Sequence, residues 1–512
     1  MRFLKILLGI LLFHISINTF AQAVKIDWGS SFTKENGLNK DPTTIGTFRD
    51  KYFIADYKLH HYYINAFDTT QKLISRHETI YGGIYAPSRG DKVVTNSMQF
   101  VSNKNGFFKF NINSDEKQCK LFVTKLNSSF KFNEQDSLVY QYDLIDQDKY
   151  KNFFDSRFYL YNLQNAEGNL ILEPSPDSSL YVLYKYKSWY KITDNDEFSY
   201  VVFDSNFKII REGTHKFEFE KCKEIQKLKI DNKGNIYVVY GPCLNSYPYF
   251  VYHNQKNEKH NYLILKIDAN NILNKYELNY EGKIPDMYNS KIFIDKNENF
   301  ILTGILYYPV TEWKSSPNTI FFKKWDKNYN LIGDKTIDLF DEKDMDGENQ
   351  IYYKDTNGSL KLTNAYFNEL DGNIFYVIKD FSILEAPMFL SNNYLLYLSV
   401  DLKGERQYKN AINCGKTNSH YNSLLVYYNK AYYLLYTSEA DSKYNNLEWG
   451  LPILTKIDNK GNIVKDYILD SNHDRFNFIH PGNCRYLGNG NVMLIKDATK
   501  GDSYKTGLLK LP

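Results

Sequence analysis

The 512-residue chain is poor in cysteine and carries no excess of either charge. Beyond its first residues it has no long apolar run. Its five cysteines, Cys119, Cys222, Cys243, Cys414 and Cys484, include no CxxC pair. That speaks against thiolate metal sites and thioredoxin-like redox chemistry. Lys and Arg total 63 against 60 Asp and Glu; removing Arg2 and Lys5 leaves 61 against 60. A surface so close to neutral sets up no global field, so nucleic acid is not an expected partner. No later stretch approaches 18 consecutive apolar residues, so no membrane span is expected. Also missing are a GxSxG elbow, HExxH, a phosphate-binding loop and the Asp box S-x-D-x-G-x-T-W. Their absence lowers the expectation of catalysis without removing it, because a pair of facing carboxylates leaves no local motif. No Pro- or Gly-rich linker divides the chain, which favours one domain over two packed β domains.

What is present is aromatic. Tyr 45, Phe 34 and Trp 5 make up 16% of the residues, and apolar residues 43%. Tyr and Phe suit pleated, half-buried surfaces, and the abundant Asn suits turns, so the composition points to an all-β fold with a sizeable core. The first 23 residues read as a secretory signal peptide. Arg2 and Lys5 form the positive start, 6–17 the apolar stretch, and Ala21 and Ala23 the small residues before a cut. No cysteine follows that stretch, so no lipid anchor is expected. An exported chain meets an oxidising compartment that permits disulfides. Cys222 and Cys243 flank a hairpin whose turn lies at their midpoint, and a cross-strand disulfide is expected there.

One phrase recurs: an alternating apolar run, an Asp or Asn turn, and a second apolar run. It is clearest in 225–240, IQKLKIDNKGNIYVVY. Similar turns are read at Arg49–Lys51, Asn103–Gly106, Glu167–Asn169, Asp295–Asn299, Asp371–Asn373, Asn429–Lys430 and Gly488–Asn491. A second kind of hairpin alternates with these, with turns opening at Asp68, Asn127, Asp204, Asp268, Asp326, Asp401 and Asp458. Two hairpins in each unit of about 60 residues give four strands, the content of one propeller blade.

The run Asp231–Tyr240, DNKGNIYVVY, resembles the strand–turn–strand core of NHL-type and related bacterial β-propeller repeats. The resemblance implies a propeller and nothing specific about function, since propellers host unrelated activities. After 492–495 only one further strand, 506–511, fits before the end of the chain; the missing fourth strand is read at 24–28. Closing the ring with strands from both ends removes exposed edges. The reading is therefore a signal peptide at 1–23 and a single β-propeller at 24–512. Eight four-stranded blades are expected, with seven as the alternative.

In such blades both hairpin turns lie on one face and the longer connections on the other. Within-blade connections carry Trp189, Tyr247, Tyr249, Trp313 and Trp449, the candidate ligand-binding residues. Rings among Asn, Asp and Lys stack on sugars or anchor proteins, and each also has the ordinary reading of packing on its own blade. The acidic stretch 341–347 departs from a calcium loop at its twelfth position, Tyr353. His60 and His61 alternate along a strand, and His473 and His480 share one connection without further ligands nearby. No metal, cofactor or catalytic residue is assigned. The expected function is an exported or cell-envelope binding or scaffolding protein for a glycan or protein. The alternative is a propeller polysaccharide hydrolase or lyase.

Overall fold

The computed structural model describes residues 26–33, 42–58, 61–80, 95–114, 118–132, 136–143, 172–185, 197–216, 223–242, 262–278, 280, 284–287, 289–307, 319–339, 359–381, 393–415, 423–438, 451–469, 479, 481–498 and 503–512. Seven antiparallel sheets follow in chain order, within 43–80, 95–143, 172–216, 223–278, 284–338, 359–415 and 424–468. We number them blades I to VII. Each is a meander in which every strand pairs with the next. Blade VIII takes Arg485–Gly488, Asn491–Ala498 and Ser503–Lys510 from one end of the chain and Ile26–Thr33 from the other. Residues Ile26 to Thr33 pair with Leu509 back to Ser503, so strands from both termini close the ring. The innermost strand of blade V is split into Ile284–Pro285 and Lys291–Ile294, both paired with Phe300–Tyr307.

First strands of neighbouring blades touch one another, as in I with II, III with IV and VI with VII, which puts them at the centre. Fourth strands such as Leu331–Asp338 are mostly exposed and form the rim. Second and third strands are covered on both faces by adjacent blades, so they read as near-continuous apolar runs rather than alternating ones. Thr319–Trp325 is buried at every position. The core is accordingly divided into eight clusters, one for each pair of adjacent blades. An open row of eight blades would have seven such seams; the eighth, between VIII and I, packs Met493, Ile495 and Tyr504 on Tyr52, Ile54 and Phe67. The aromatic excess goes into these seams. Phe53 stacks on Phe107 at 4.4 Å, Tyr237 on Phe300 at 5.1 Å and Phe375 on Tyr432 at 4.1 Å.

Nine of the described turns share one geometry. At Asp68, Asn127, Asp204, Asp231, Asp268, Asp295, Asp326, Asp401 and Asp458 the side-chain Oδ1 accepts the backbone N–H groups two and four residues on. This is why Asp and Asn recur there: a short side chain satisfies the backbone donors that the turn leaves over. The third residue after the Asp or Asn is left-handed in every case, with φ from 56° at Phe130 to 84° at Gly461 and 87° at Gly234.

In the outer turns that left-handed residue is also a plug seated in the preceding blade. Phe207 of blade III lies 4.4 Å from Phe110 of blade II, and Tyr329 of V stacks on Tyr237 and Tyr276 of IV. Asn271 of IV accepts the Tyr200 hydroxyl of III, and Gln71 of I accepts the Thr506 hydroxyl of VIII at 3.0 Å. Blade VIII has chain ends where its outer turn would be. There Leu511 is buried against blade VII, and the Pro512 carbonyl accepts the Tyr433 hydroxyl.

One turn departs from the sequence reading. The first hairpin of blade III turns at Ser175–Ser179, between Leu172–Pro174 and Leu180–Lys185, not at Glu167–Asn169. Here a serine hydroxyl, Ser175 Oγ, and the Asp177 carboxylate take the role of the usual Asp.

Candidate functional site

The meander fixes two unlike faces. Turns between first and second strands, and between third and fourth, lie on one face; outside blade II, whose third and fourth strands are joined by 126–136, they are two to five residues long, and they are closed on their own hydrogen bonds. The described second and third strands of blades III to VII, between which the sequence places 186–196, 243–261, 308–318, 382–392 and 439–450, end on the opposite face. Trp189, Tyr247, Tyr249, Trp313 and Trp449 belong to these connections and lie outside the described residues. So do Cys222 and Cys243, the acidic stretch 341–347, and His60, His473 and His480.

The described part of the ring has its own chemistry at the centre. The innermost strands of blades I, II and VII contain no charged residue, whereas those of III to V carry several, Glu173, Lys227, Lys229 and Lys291 among them. The Lys229 ammonium pairs with the Glu173 carboxylate across the seam between blades IV and III. Lys227 follows a β-bulge that shifts the register between Ile225 and Lys227. Bulges re-aim side chains and recur beside functional sites. Burial pushes the Lys227 ammonium down to about 8; Lys291 adds to the depression, Asp286 opposes it, and Lys229 and Glu173 make smaller contributions of opposite sign. Asp286 is itself engaged: its Oδ1 accepts the Asn289 N–H at 3.2 Å and its Oδ2 the Asn289 amide at 2.7 Å.

Other buried charges are tied into structure. Lys109 pairs with Asp136 at 3.2 Å, and that carboxylate also accepts Asn111 and Thr124. Lys324 reaches the turn carboxylate of Asp295 at 3.3 Å. Among the described residues no group of three His, Cys, Asp or Glu side chains is placed to hold a metal. Nor is any helix among them long and apolar enough to cross a membrane. Cys414 and Cys484 are buried thiols in different seams, and burial pushes each up to about 12. A thiol held that high is not a nucleophile at neutral pH.

Two features were not read from sequence. The central charges lie on separate blades, and only the packing of neighbouring blades brings them together. The seam plugs did leave a local trace. Phe130, Phe207 and Tyr329 stand three residues after a turn Asn or Asp, where φ is positive and Gly or Asn is the usual choice.

No family model matches the chain, and no curated protein matches it. Among solved structures it is similar to Saccharomyces cerevisiae Sqt1, at 8% identity and a TM-score of 0.40, over 96% of this chain and 100% of that one. The polysaccharide lyase Uly1 is similar at 9% identity and 0.39, over 94% and 93% of the two chains. A putative 6-phosphogluconolactonase of Bacteroides fragilis NCTC 9343 is similar at 10% and 0.36, over 85% and 98%. Scores of this size carry no implication for activity.

Proposed function

We propose that the chain is an exported bacterial propeller of the binding or scaffolding kind, which holds a glycan or a protein partner on the face of its long connections. The observation that carries this reading is the division of labour between the two faces. The turns spend their polar groups on themselves and on the preceding blade. What is left to vary is the set of long connections, and loops on a rigid scaffold are where binding concentrates. The segments that carry Trp189, Tyr247 with Tyr249, Trp313 and Trp449 join the second and third strands of blades III, IV, V and VII. The described strands on either side of each end on that one face. Export rests on the N-terminal signal sequence. A disulfide between Cys222 and Cys243 suits it: the hairpin ladder runs out to Lys223 opposite Pro242, and the two cysteines adjoin those residues in the sequence.

The test is a glycan-array screen of the mature chain with and without calcium, joined to a pull-down from envelope extracts. The triple variant Trp189→Ala, Trp313→Ala, Trp449→Ala is expected to lose capture while keeping the β-type circular dichroism of the parent. Unchanged capture by the folded triple variant refutes the connection face as the site. Product released from a polysaccharide refutes simple binding and makes the chain a hydrolase or lyase.

A further inference from the structure

Tyr366, on the innermost strand of blade VI, is 37% exposed. It stacks on Tyr427 of blade VII at 5.8 Å and 25°, and Tyr432 lies 6.3 Å from it and 4.9 Å from Tyr427. Tyr432 is buried and stacks on Phe375 at 4.1 Å, so the trio is backed by core. Farther from the turns, the Asn364 amide of blade VI donates to the Ser423 carbonyl of blade VII at 2.6 Å, which fixes one blade against the other. Tyr366 stands two residues before Asn368, and Tyr427 one before Tyr428, the last paired rungs of their hairpins. Both rings therefore lie where the central opening meets the turn face.

The inner turn of blade VI brings a carboxylate to these rings. Asp371 Oδ2 accepts the Tyr427 hydroxyl at 3.4 Å and the Asn368 amide at 2.7 Å. Asp371 and Glu369 are both exposed, and neither forms an ion pair with a described residue. Glu298 and Glu405, in other turns of this face, do have basic partners, Lys233 at 2.5 Å and Lys335 at 3.0 Å. A ring face attracts a cation through its quadrupole, and a carboxylate at the ring edge adds Coulomb attraction at the same place. Rings alone would suit a sugar equally well; the negative charge beside them selects for a cation.

We propose that Tyr366, Tyr427 and Asp371 form a binding site for one organic cation, a substituted ammonium or a guanidinium group, at the turn-side mouth of the central opening. The cation rests on the exposed part of the Tyr366 ring, with Asp371 as its counter-charge. The site lies on the opposite face from the long connections and stands whether or not they bind. Two sources supply such a group: a free choline-like solute, or an arginine side chain of a partner protein.

The experiment is ligand-observed NMR titration of the mature chain at one ionic strength. The probes are choline chloride, N-acetylarginine amide and the uncharged alcohol that has carbon in place of the choline nitrogen. Both cations should bind saturably, with dissociation constants on the order of 1 mM, and the alcohol at least about fivefold more weakly than choline. Tyr366→Leu, which keeps apolar bulk, should weaken both cations about fivefold. Asp371→Asn, which keeps the shape of the side chain, should weaken them about tenfold. Asp50→Asn, in the corresponding turn of blade I, should change neither. Tighter binding of choline assigns the site to free ammonium compounds; tighter binding of the arginine derivative assigns it to a partner's side chain. An alcohol that binds as well as choline overturns the proposal, as does the absence of saturable binding by both cations. So does binding that survives both Tyr366→Leu and Asp371→Asn in protein with parental circular dichroism.

Discussion

A single methyl group added at Gly461 tests whether the interlocking of blades sustains the ring. Gly461 is the left-handed residue of the outer turn of blade VII, at φ +84°, and it sits against blade VI. Its carbonyl accepts the Tyr397 hydroxyl at 3.0 Å and the Asn410 amide at 2.8 Å. A Cβ built there falls 2.3 Å from Cδ2 of Tyr408 and 2.6 Å from its Cγ, well inside contact distance. Gly461→Ala therefore meets a backbone cost of roughly 1–2 kcal/mol for an L-residue in the left-handed region. Forcing the ring aside adds about 1–3 kcal/mol, the usual cost of overpacking. Gly488 supplies the control: its φ is +95°, and nothing lies within 4 Å of the same added atom, so Gly488→Ala meets the backbone cost alone. Urea unfolding followed by circular dichroism should show a midpoint shift for Gly461→Ala about twice that for Gly488→Ala, with little change in slope. Tyr408→Ala in the Gly461→Ala background should recover the steric part, a coupling of about 1–3 kcal/mol in a double-mutant cycle. Equal shifts for the two glycine variants, or no recovery on removing Tyr408, would refute the seam argument.

The turn carboxylates make a second prediction. Hydrogen bonds from Thr70 hold the Asp68 carboxyl low, and those from Asn330 and the backbone do so for Asp326; at Asp458 burial opposes ionisation, but hydrogen bonds from Asn462 and Lys460 outweigh it. Such groups contribute stability above the unfolded carboxyl value of 3.8 that is lost as pH falls through the lower folded value. Asn127 already fills this role without a charge. The triple variant Asp68→Asn, Asp326→Asn, Asp458→Asn should keep its melting temperature within a few degrees at pH 7 and lose less of it than the parent below pH 4. Cysteine chemistry makes a third. Cys414 and Cys484 should resist iodoacetamide at pH 8 until the protein unfolds, and non-reducing mass mapping should return Cys222 joined to Cys243. Labelling of Cys414 or Cys484 in the native chain, or two alkylated thiols at 222 and 243, would contradict these readings.

The blade plan was legible because its signal is local. An Asp five residues before the return strand is needed to satisfy two backbone donors, and that chemistry is written within five residues, as at Asp231 to Asn235. Ring closure was legible by subtraction, since the last unit lacked one strand and the start of the chain had one to spare. The turn of blade III was misplaced because Ser175 and Asp177 share the work of one Asp, while Gly168 with Asn169 imitated the more frequent signal. The central lysines were not legible. Lys229 meets Glu173 only once blades III and IV stand side by side. The plugs lie between these cases. A Phe or Tyr three residues after the turn Asp is visible as an anomaly, but the blade it enters precedes it by tens of residues.

The strand pair that closes blade VIII also decides how the ring meets force. Ile26 lies opposite Leu509 and Thr33 opposite Ser503, so the first and last residues of the pair emerge at the same end. Tension applied between the two termini peels this ladder open one rung at a time instead of shearing all its hydrogen bonds together. Each rung resists with no more than the ~1 kcal/mol of a typical net hydrogen bond. Held at one terminus only, the ring carries no load through this seam. Strung between two attachments, it gives way first where its two ends meet, while blades I to VII keep their own pairings.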